Sequence, residues 1–190
     1  MGRWPAGVRQ RLQEAALALF AERGYAATTV DQVAERAGVS QRTFFRHFRD
    51  KEEVLFGADD RLREVLVAGV RSAPASATPR ELVVAGLLAL ARELQPEREA
   101  LRVRARVLAS DVALHGRDLA KQARWVAAVT DELIARGAPA PTAAPLAAAA
   151  AGVFRVAYAD WLADSARTTL AIRLARGLDE VAAALARTPA

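Results

Sequence analysis

Gly38-Val-Ser-Gln-Arg-Thr-Phe-Phe-Arg-His-Phe-Arg-Asp-Lys51 is the stretch on which the reading of this chain turns. Its glycine ends one short amphipathic helix and Val39 plugs the turn. Ser40 then suits the N-cap of a second helix, because its hydroxyl oxygen can accept a hydrogen bond from an orphan backbone N–H. That second helix carries Arg42, Arg46 and His47 among aromatic residues, with Arg49 and Lys51 following at once. Two short helices joined by a tight glycine turn, the second rich in DNA-contacting side chains, make a helix-turn-helix. A recognition helix sets its first turn against base edges, and Gln41 and Arg42 occupy that turn. Gln pairs bidentately with adenine and Arg with guanine, each worth about 1–3 kcal/mol of discrimination. Arg46 lies four residues beyond Arg42 on the same face. Phe44 and Phe48, also four apart, are expected in the core. His47 reads as a DNA contact or as an exposed polar residue, and Arg36 and Arg49 as solvated face or contacts. Arg3, Arg9 and Arg11 form either a basic arm along the minor groove or loose surface charge.

Outward from this motif the pattern is helical throughout. From Val8 to Arg23, the residues Val8, Leu12, Ala15, Ala16, Leu19 and Phe20 share one apolar face, and Gly24 suits the stop. Thr29, with Gln32 three residues on, forms a capping box for the next helix. Asp50 and Glu53 repeat the device ahead of a longer helix expected to run to about Val70. That helix would lead straight from the DNA-binding segment into the rest of the chain and act as a lever. Ser72 to Pro79 reads as a loop. Further helices are expected over about 79–94, 97–111, 115–136, 142–164 and 168–187, with the prolines as punctuation. The fold class is therefore all-α, with about nine helices and no strand pattern.

Residues Ala15 to Leu55 resemble the TetR family of bacterial transcriptional repressors. The resemblance rests on Ala15, Leu19, Phe20, Gly24, Tyr25, Thr28, Thr29, Val33, Ala34, Ala37, Gly38, Val39, Ser40, Thr43, Phe44, His47, Phe48, Lys51, Glu52 and Leu55. It implies a DNA-binding domain at 1–52 and a helical ligand-binding and dimerisation domain at 53–190. It also implies backbone contacts from Thr29, Thr43, His47 and Lys51, and includes Ser40 and Phe45 in the DNA-facing set. At Phe45 the family usually has Tyr, so a phenolic phosphate contact is lost, although Phe can pack against sugar or a thymine methyl. Where Arg42 stands, the family often has a small residue or proline.

Composition agrees with a DNA-binding regulator and excludes other classes. Residues 1–51 hold nine Lys/Arg against five Asp/Glu, whereas 52–190 hold 18 against 17. The basic excess thus sits in the helix-turn-helix segment, where phosphate neutralisation needs it. With 25 Arg and two Lys, total Arg count says little, but the asymmetry remains. The chain has no cysteine, which suits a reducing cytoplasm and excludes a Cys-based zinc site. The N-terminus lacks an apolar signal core. The apolar run Thr142 to Ala163 is mostly alanine and contains Arg155 and Asp160, so no membrane partner is expected. His47 and His115 have no metal spacing, and no nucleophile–base set is visible. No catalytic residues, metal site or cofactor are expected.

The C-terminal part carries two further signals. Alanine-rich 143–151, with Val153, Val156 and Ala157, precedes Leu170, Leu174, Leu178, Val181 and Leu185 at helical spacing. An intramolecular core explains either face alone, while the pair points to a homodimer. Arg102 and Arg106 are i,i+4 neighbours that can hold an anionic head group, or pair with acids such as Glu97, Glu99 or Asp111. Near them, Leu90, Leu108, Trp125, Phe154 and Tyr158 supply apolar surface. This layout resembles a TetR-like subset that binds acyl-CoA-like ligands, so a small amphipathic effector is the expected third partner besides double-stranded operator DNA and a second copy. The rival reading is a sequence-independent architectural DNA-binding protein without a ligand site.

Overall fold

The computed structural model describes residues 7–164 and 168–186, and among them every regular element is helical. The order is α1 (Val8–Arg23), α2 (Val30–Arg36), α3 (Gln41–His47), α4 (Glu53–Phe56), α5 (Asp59–Ser72), α6 (Pro79–Leu94), α7 (Arg98–Ala109), α8 (Val112–Ala135), α9 (Ala140–Ala163) and α10 (Leu170–Ala186), with a 3-10 turn at Gln95–Glu97 before α7. Expected Arg3 lies outside the described residues.

Three expectations are corrected. The single helix from Asp50 to Val70 is two, α4 and α5, because side chains take the carbonyls that would continue it. Arg104 Nε donates to Leu55 O at 2.6 Å and Arg9 Nη2 to Gly57 O at 3.2 Å. The helix expected from 115 starts at Val112, since Asp111 Oδ1 accepts from the amides of Ala113 (2.8 Å) and Leu114 (3.1 Å) as an N-cap. Proline is not confined to helix ends either. Pro145 lies inside α9, where it forfeits one backbone bond near the helix start.

The chain divides into two compact units. The first runs to Asp59 and adds Glu99–Asp118, so it reaches beyond the expected boundary at residue 52. Its core joins Leu12, Ala16, Phe20, Val33, Phe44, Phe48 and Leu55 to Val107, Leu108 and Leu114 from α7 and α8. Phe44 and Phe48 are fully enclosed, and burying each such ring is worth about 1.5–3 kcal/mol.

The second unit comprises Asp60–Arg98 and the chain from Leu119 onward. Here α5 and α6 cross where Gly69 meets Gly86. A Cβ at Gly69 would lie 2.8 Å from Gly86 Cα, and one at Gly86 would lie 2.8 Å from Leu66 O. Only hydrogen fits that contact. Two arginines finish helices in this unit. Arg136 Nη1 donates to Val70 O (2.8 Å) and Arg71 O (2.9 Å), and Nη2 to Ala73 O and Pro74 O (each 2.9 Å). These include last-turn carbonyls of α5, which have no partner within the helix. Arg98 does the same for α9, with Nε 3.0 Å from Trp161 O and Nη2 on Asp164 O.

Helix α9 is long and apolar enough to cross a membrane by length and composition. In this fold its Ala143, Ala147, Ala150, Val153, Ala157, Trp161 and Leu162 are buried in the second unit. Leu170 and Leu174 of α10 are likewise buried, at 0% and 1% exposure, so they serve the chain's own core. The outward apolar residues of this pair are Val156 (54%), Ile172 (59%), Val181 and Leu185.

Candidate nucleic-acid interface

Local chemistry sets the angle between α2 and α3. Thr29 Oγ1 accepts from Gln32 N at 3.3 Å, and Gln32 Oε1 accepts from Thr29 N at 3.0 Å, completing the capping box. At the other end of α2, Gly38 takes φ +68°. Val39 N donates to Ala34 O (3.0 Å) and Gly38 N to Glu35 O (3.0 Å), the paired bonds of a Schellman turn. A residue with a Cβ is strained at that φ, which is why glycine stands there. Ser40 Oγ then accepts from Thr43 N at 3.2 Å and lies 3.0 Å from Thr43 Oγ1, so α3 starts on a satisfied cap.

The resulting helix has two unlike sides. Phe44 and Phe48 point inward with ring centroids 5.5 Å apart. Gln41, Arg42, Phe45 and Arg46 are exposed and form one outward face. Neither Arg42 nor Arg46 makes an ion pair or hydrogen bond among the described residues.

Other cations of this segment are committed within the protein. Arg36 grips Glu22 through two bonds of 2.5 and 2.7 Å, which holds the Glu22 carboxyl below its ordinary range. Arg49 pairs with Glu53 at 3.3 Å. Arg9 donates to His47 O at 2.8 Å, its guanidinium 4.4 Å from the Phe48 ring centroid, so it caps the recognition helix rather than forming part of a minor-groove arm. Lys51 Nζ donates to Tyr25 O (2.7 Å) and Thr28 O (2.9 Å), with a longer approach to Ala26 O (3.5 Å). It also lies 4.3 Å from the Tyr25 ring centroid. In the free protein its donors are thus not open to phosphate as expected.

The amides ahead of α4 are also taken, Glu53 N by Asp50 Oδ1 (2.7 Å) and Arg49 N by Glu53 Oε2 (2.6 Å). Of the expected Asp50–Glu53 capping box the Asp50 arm forms, while Glu53 Oε2 accepts from Arg49 N in place of Asp50 N. His47 is half-buried, and its Nε2 is enclosed without a hydrogen-bond partner, so that nitrogen is not presented to DNA. Thr29, Ser40 and Thr43 sit at the helix starts with their hydroxyls already engaged.

A group missed by sequence reasoning braces the end of this module. Two guanidiniums lie over the Phe56 ring, Arg104 at 5.2 Å and Arg117 at 4.8 Å from its centroid. Arg117 pairs with Glu52 at 2.6 Å and Arg104 with Asp118 at 3.4 Å. These partners are up to 65 residues apart, a separation no local pattern reports.

The residues expected around a ligand are divided between the two units. Leu108 is core of the first unit. Arg102 pairs with Glu99 at 3.1 Å, the alternative that sequence left open, and Arg106 is exposed. Leu90, Trp125, Phe154 and Tyr158 belong to the second unit, where Phe154 and Tyr158 stack at 5.4 Å. None of them lines the open groove of about 340 Å³ formed by Arg63, Glu64, Val67 and Arg71 with Ala128, Asp131, Glu132 and Ala135. Among the described residues, no cluster of three or more His, Cys, Asp or Glu is placed to hold a metal ion.

Residues 12–58 match the bacterial regulatory proteins of the tetR family. That segment, about a quarter of the chain, is what is similar to the tetR family. Its relatives include the transcriptional regulator TcmR of Streptomyces glaucescens, 44% identical over 71 residues, which are 37% of this chain and 31% of TcmR. The transcriptional activator FasR of Mycolicibacterium smegmatis is 42% identical over 65 residues, 34% of this chain and 30% of FasR. The chain thus aligns with about a third of the length of these curated relatives. The fold of the whole chain is similar to Thermus thermophilus FadR, a TetR-family repressor solved with lauroyl-CoA. That likeness has TM-score 0.62 and 23% identity, covering 96% of this chain and 97% of FadR. It is a likeness of fold, and it extends over nearly the whole chain.

Proposed function

We propose that this protein is a ligand-responsive transcriptional regulator, acting as a repressor, that binds a near-palindromic operator as a homodimer in the cytoplasm. The observation that carries the reading is the outward face of α3. There Gln41, Arg42 and Arg46 are exposed and the two arginines are unspent, while neighbouring cations hold the module together. Exposed guanidinium forks and a carboxamide on a rigid helix suit base edges in the major groove. Residues 1–52 supply the DNA reader, and 53–190 the dimer contacts and effector site. Val156 and Ile172, exposed and apolar on neighbouring helices, support the dimer reading. FadR's lauroyl-CoA supports an amphipathic, acyl-CoA-like effector, with Leu90, Trp125, Phe154 and Tyr158 as apolar surface for its tail. Such an effector releases DNA by binding the DNA-incompetent state better.

Selection of binding sites from random duplexes tests this reading. Wild-type protein is expected to recover two half-sites with whole-turn spacing. Arg42→Ala should relax preference at one base position and cost about 1–3 kcal/mol. Ile172→Glu should leave the fold intact and abolish recovery of the paired half-sites. Lauroyl-CoA added to the selected complex should release the DNA. Recovery without sequence preference would favour an architectural role, and an unchanged preference in Arg42→Ala would remove Arg42 as a reader.

A further inference from the structure

Phe45 is the one large apolar side chain on the outward face of α3, and it is 50% exposed. Its position on that face decides what it can touch. With about 100° per residue, Gln41, Phe45, Arg42 and Arg46 fall at about 0°, 40°, 100° and 140° around the helix. Half-buried Thr43 and His47 fall at about 200° and 240°, and buried Phe44 at about 300°. Phe45 and Arg42 therefore occupy the middle of the outward arc, with Gln41 and Arg46 as its shoulders.

A helix laid in a groove turns the middle of its arc to the floor and its shoulders to the walls. In the major groove the floor is base edges and the walls are sugar and phosphate. A phenyl ring offers those edges no hydrogen bond. The apolar group exposed there is the C5-methyl of thymine. The ring is also held before any ligand arrives, because it meets Phe44 edge to face at 5.5 Å and 85°. Little side-chain freedom then remains to be lost on contact.

We propose that Phe45 reads the 5-methyl group of a thymine in each operator half-site, one or two base pairs from the base read by Arg42. This inference rests on the DNA-reading function proposed above, and adds the chemical feature recognised and the residue that recognises it. Phe45 discriminates by apolar contact where Arg42, beside it in the middle of the arc, discriminates by hydrogen bonds.

The test replaces each thymine of the selected duplex, one at a time, by deoxyuridine, which lacks only the methyl group. For wild-type protein one position per half-site should lose affinity about fourfold, the effect of one buried methyl. In Phe45→Ala that loss should vanish, whereas in Phe45→Leu it should persist in part. Phe45→Ala forfeits only the contact with Phe44, so thermal melting should show a folded protein with a small drop in midpoint at most. A wild-type scan with no sensitive thymine overturns the inference. So does a sensitive position that stays sensitive in Phe45→Ala, since another residue then reads it. Both results leave operator binding intact. Failure of wild-type protein to select any duplex would instead remove the function on which the inference rests.

Discussion

The α2–α3 turn and the C-terminal ends of α5 and α9 in the second unit are closed in opposite ways. The caps at the turn itself come from nearby in the chain, and only the far end of α3 is held from a distance, by Arg9. Gln32 and Thr29 are three residues apart, Ser40 and Thr43 three, and Val39 reaches back five to Ala34. In the second unit the end of α5 is held by Arg136, and the end of α9 by Arg98, from 62 to 66 residues away. A reader of DNA must keep one helix at a set angle whatever the rest of the chain does, and near-neighbour bonds provide that. A bundle held by distant guanidiniums is only as rigid as its packing, and changes of packing are what an effector can exploit.

The sharpest way to break this contrast is Arg136→Met. It keeps much of the apolar stem but removes the donors to four carbonyls of the α5 end. The expected cost is about 2 kcal/mol, because these bonds are charge-assisted and water can reach only some of the freed carbonyls. It should appear as a lower midpoint in urea unfolding with an unchanged slope. Arg136→Lys should recover only part of it, since one ammonium cannot match a planar fork. An unchanged midpoint in Arg136→Met would show that the distant cap contributes nothing.

Ser40→Ala should cost less, about 1 kcal/mol, by freeing Thr43 N at the start of α3. The same unfolding experiment checks it. The variant should also weaken operator binding more than its stability loss explains, because the first turn of the reader frays. Equal losses in both measurements would mean that the cap stabilises without positioning.

The smallest effect concerns the first unit's own long-range joint, where Lys51 covers Tyr25. Burial pushes the Tyr25 phenol up to about 12, with Glu52 and Asp50 adding to it. The folded state therefore keeps its phenolic proton where the unfolded chain, near 10, has lost it. The stability this contributes is complete below about pH 10 and disappears as pH rises to about 12. Denaturation followed across that window should show a shallower decline for Tyr25→Phe than for wild type.

How much of this was legible follows from the same contrast. The span Val8–Arg23, the box at Thr29, the stop at Gly38, the cap at Ser40 and the helix Pro79–Leu94 all show in sequence because their determinants lie within a few residues. The break between α4 and α5 does not show, because Arg9 and Arg104 that make it stand about fifty residues from the carbonyls they take. Helical spacing grouped Leu170, Leu174, Leu178, Val181 and Leu185 as one apolar set, but only packing reveals that Leu170 and Leu174 are buried while Val181 and Leu185 are exposed. Gln41, Arg42 and Arg46 could be placed from the cap alone. Lys51 could not, because composition shows that a cation is present and not what it is already holding, and His47 could not, because its enclosure is set by packing.

That last point changes what formal charge says about the DNA complex. Nine basic residues fall within 1–51, yet Arg9, Arg36, Arg49 and Lys51 already sit on carbonyls or carboxylates of their own chain. Each phosphate neutralised by a protein cation expels condensed counterions from the duplex, and that release makes affinity fall with added electrolyte. Cations spent inside the fold expel none. On the function proposed above, binding by this module is expected to be less sensitive to ionic strength than its formal charge suggests.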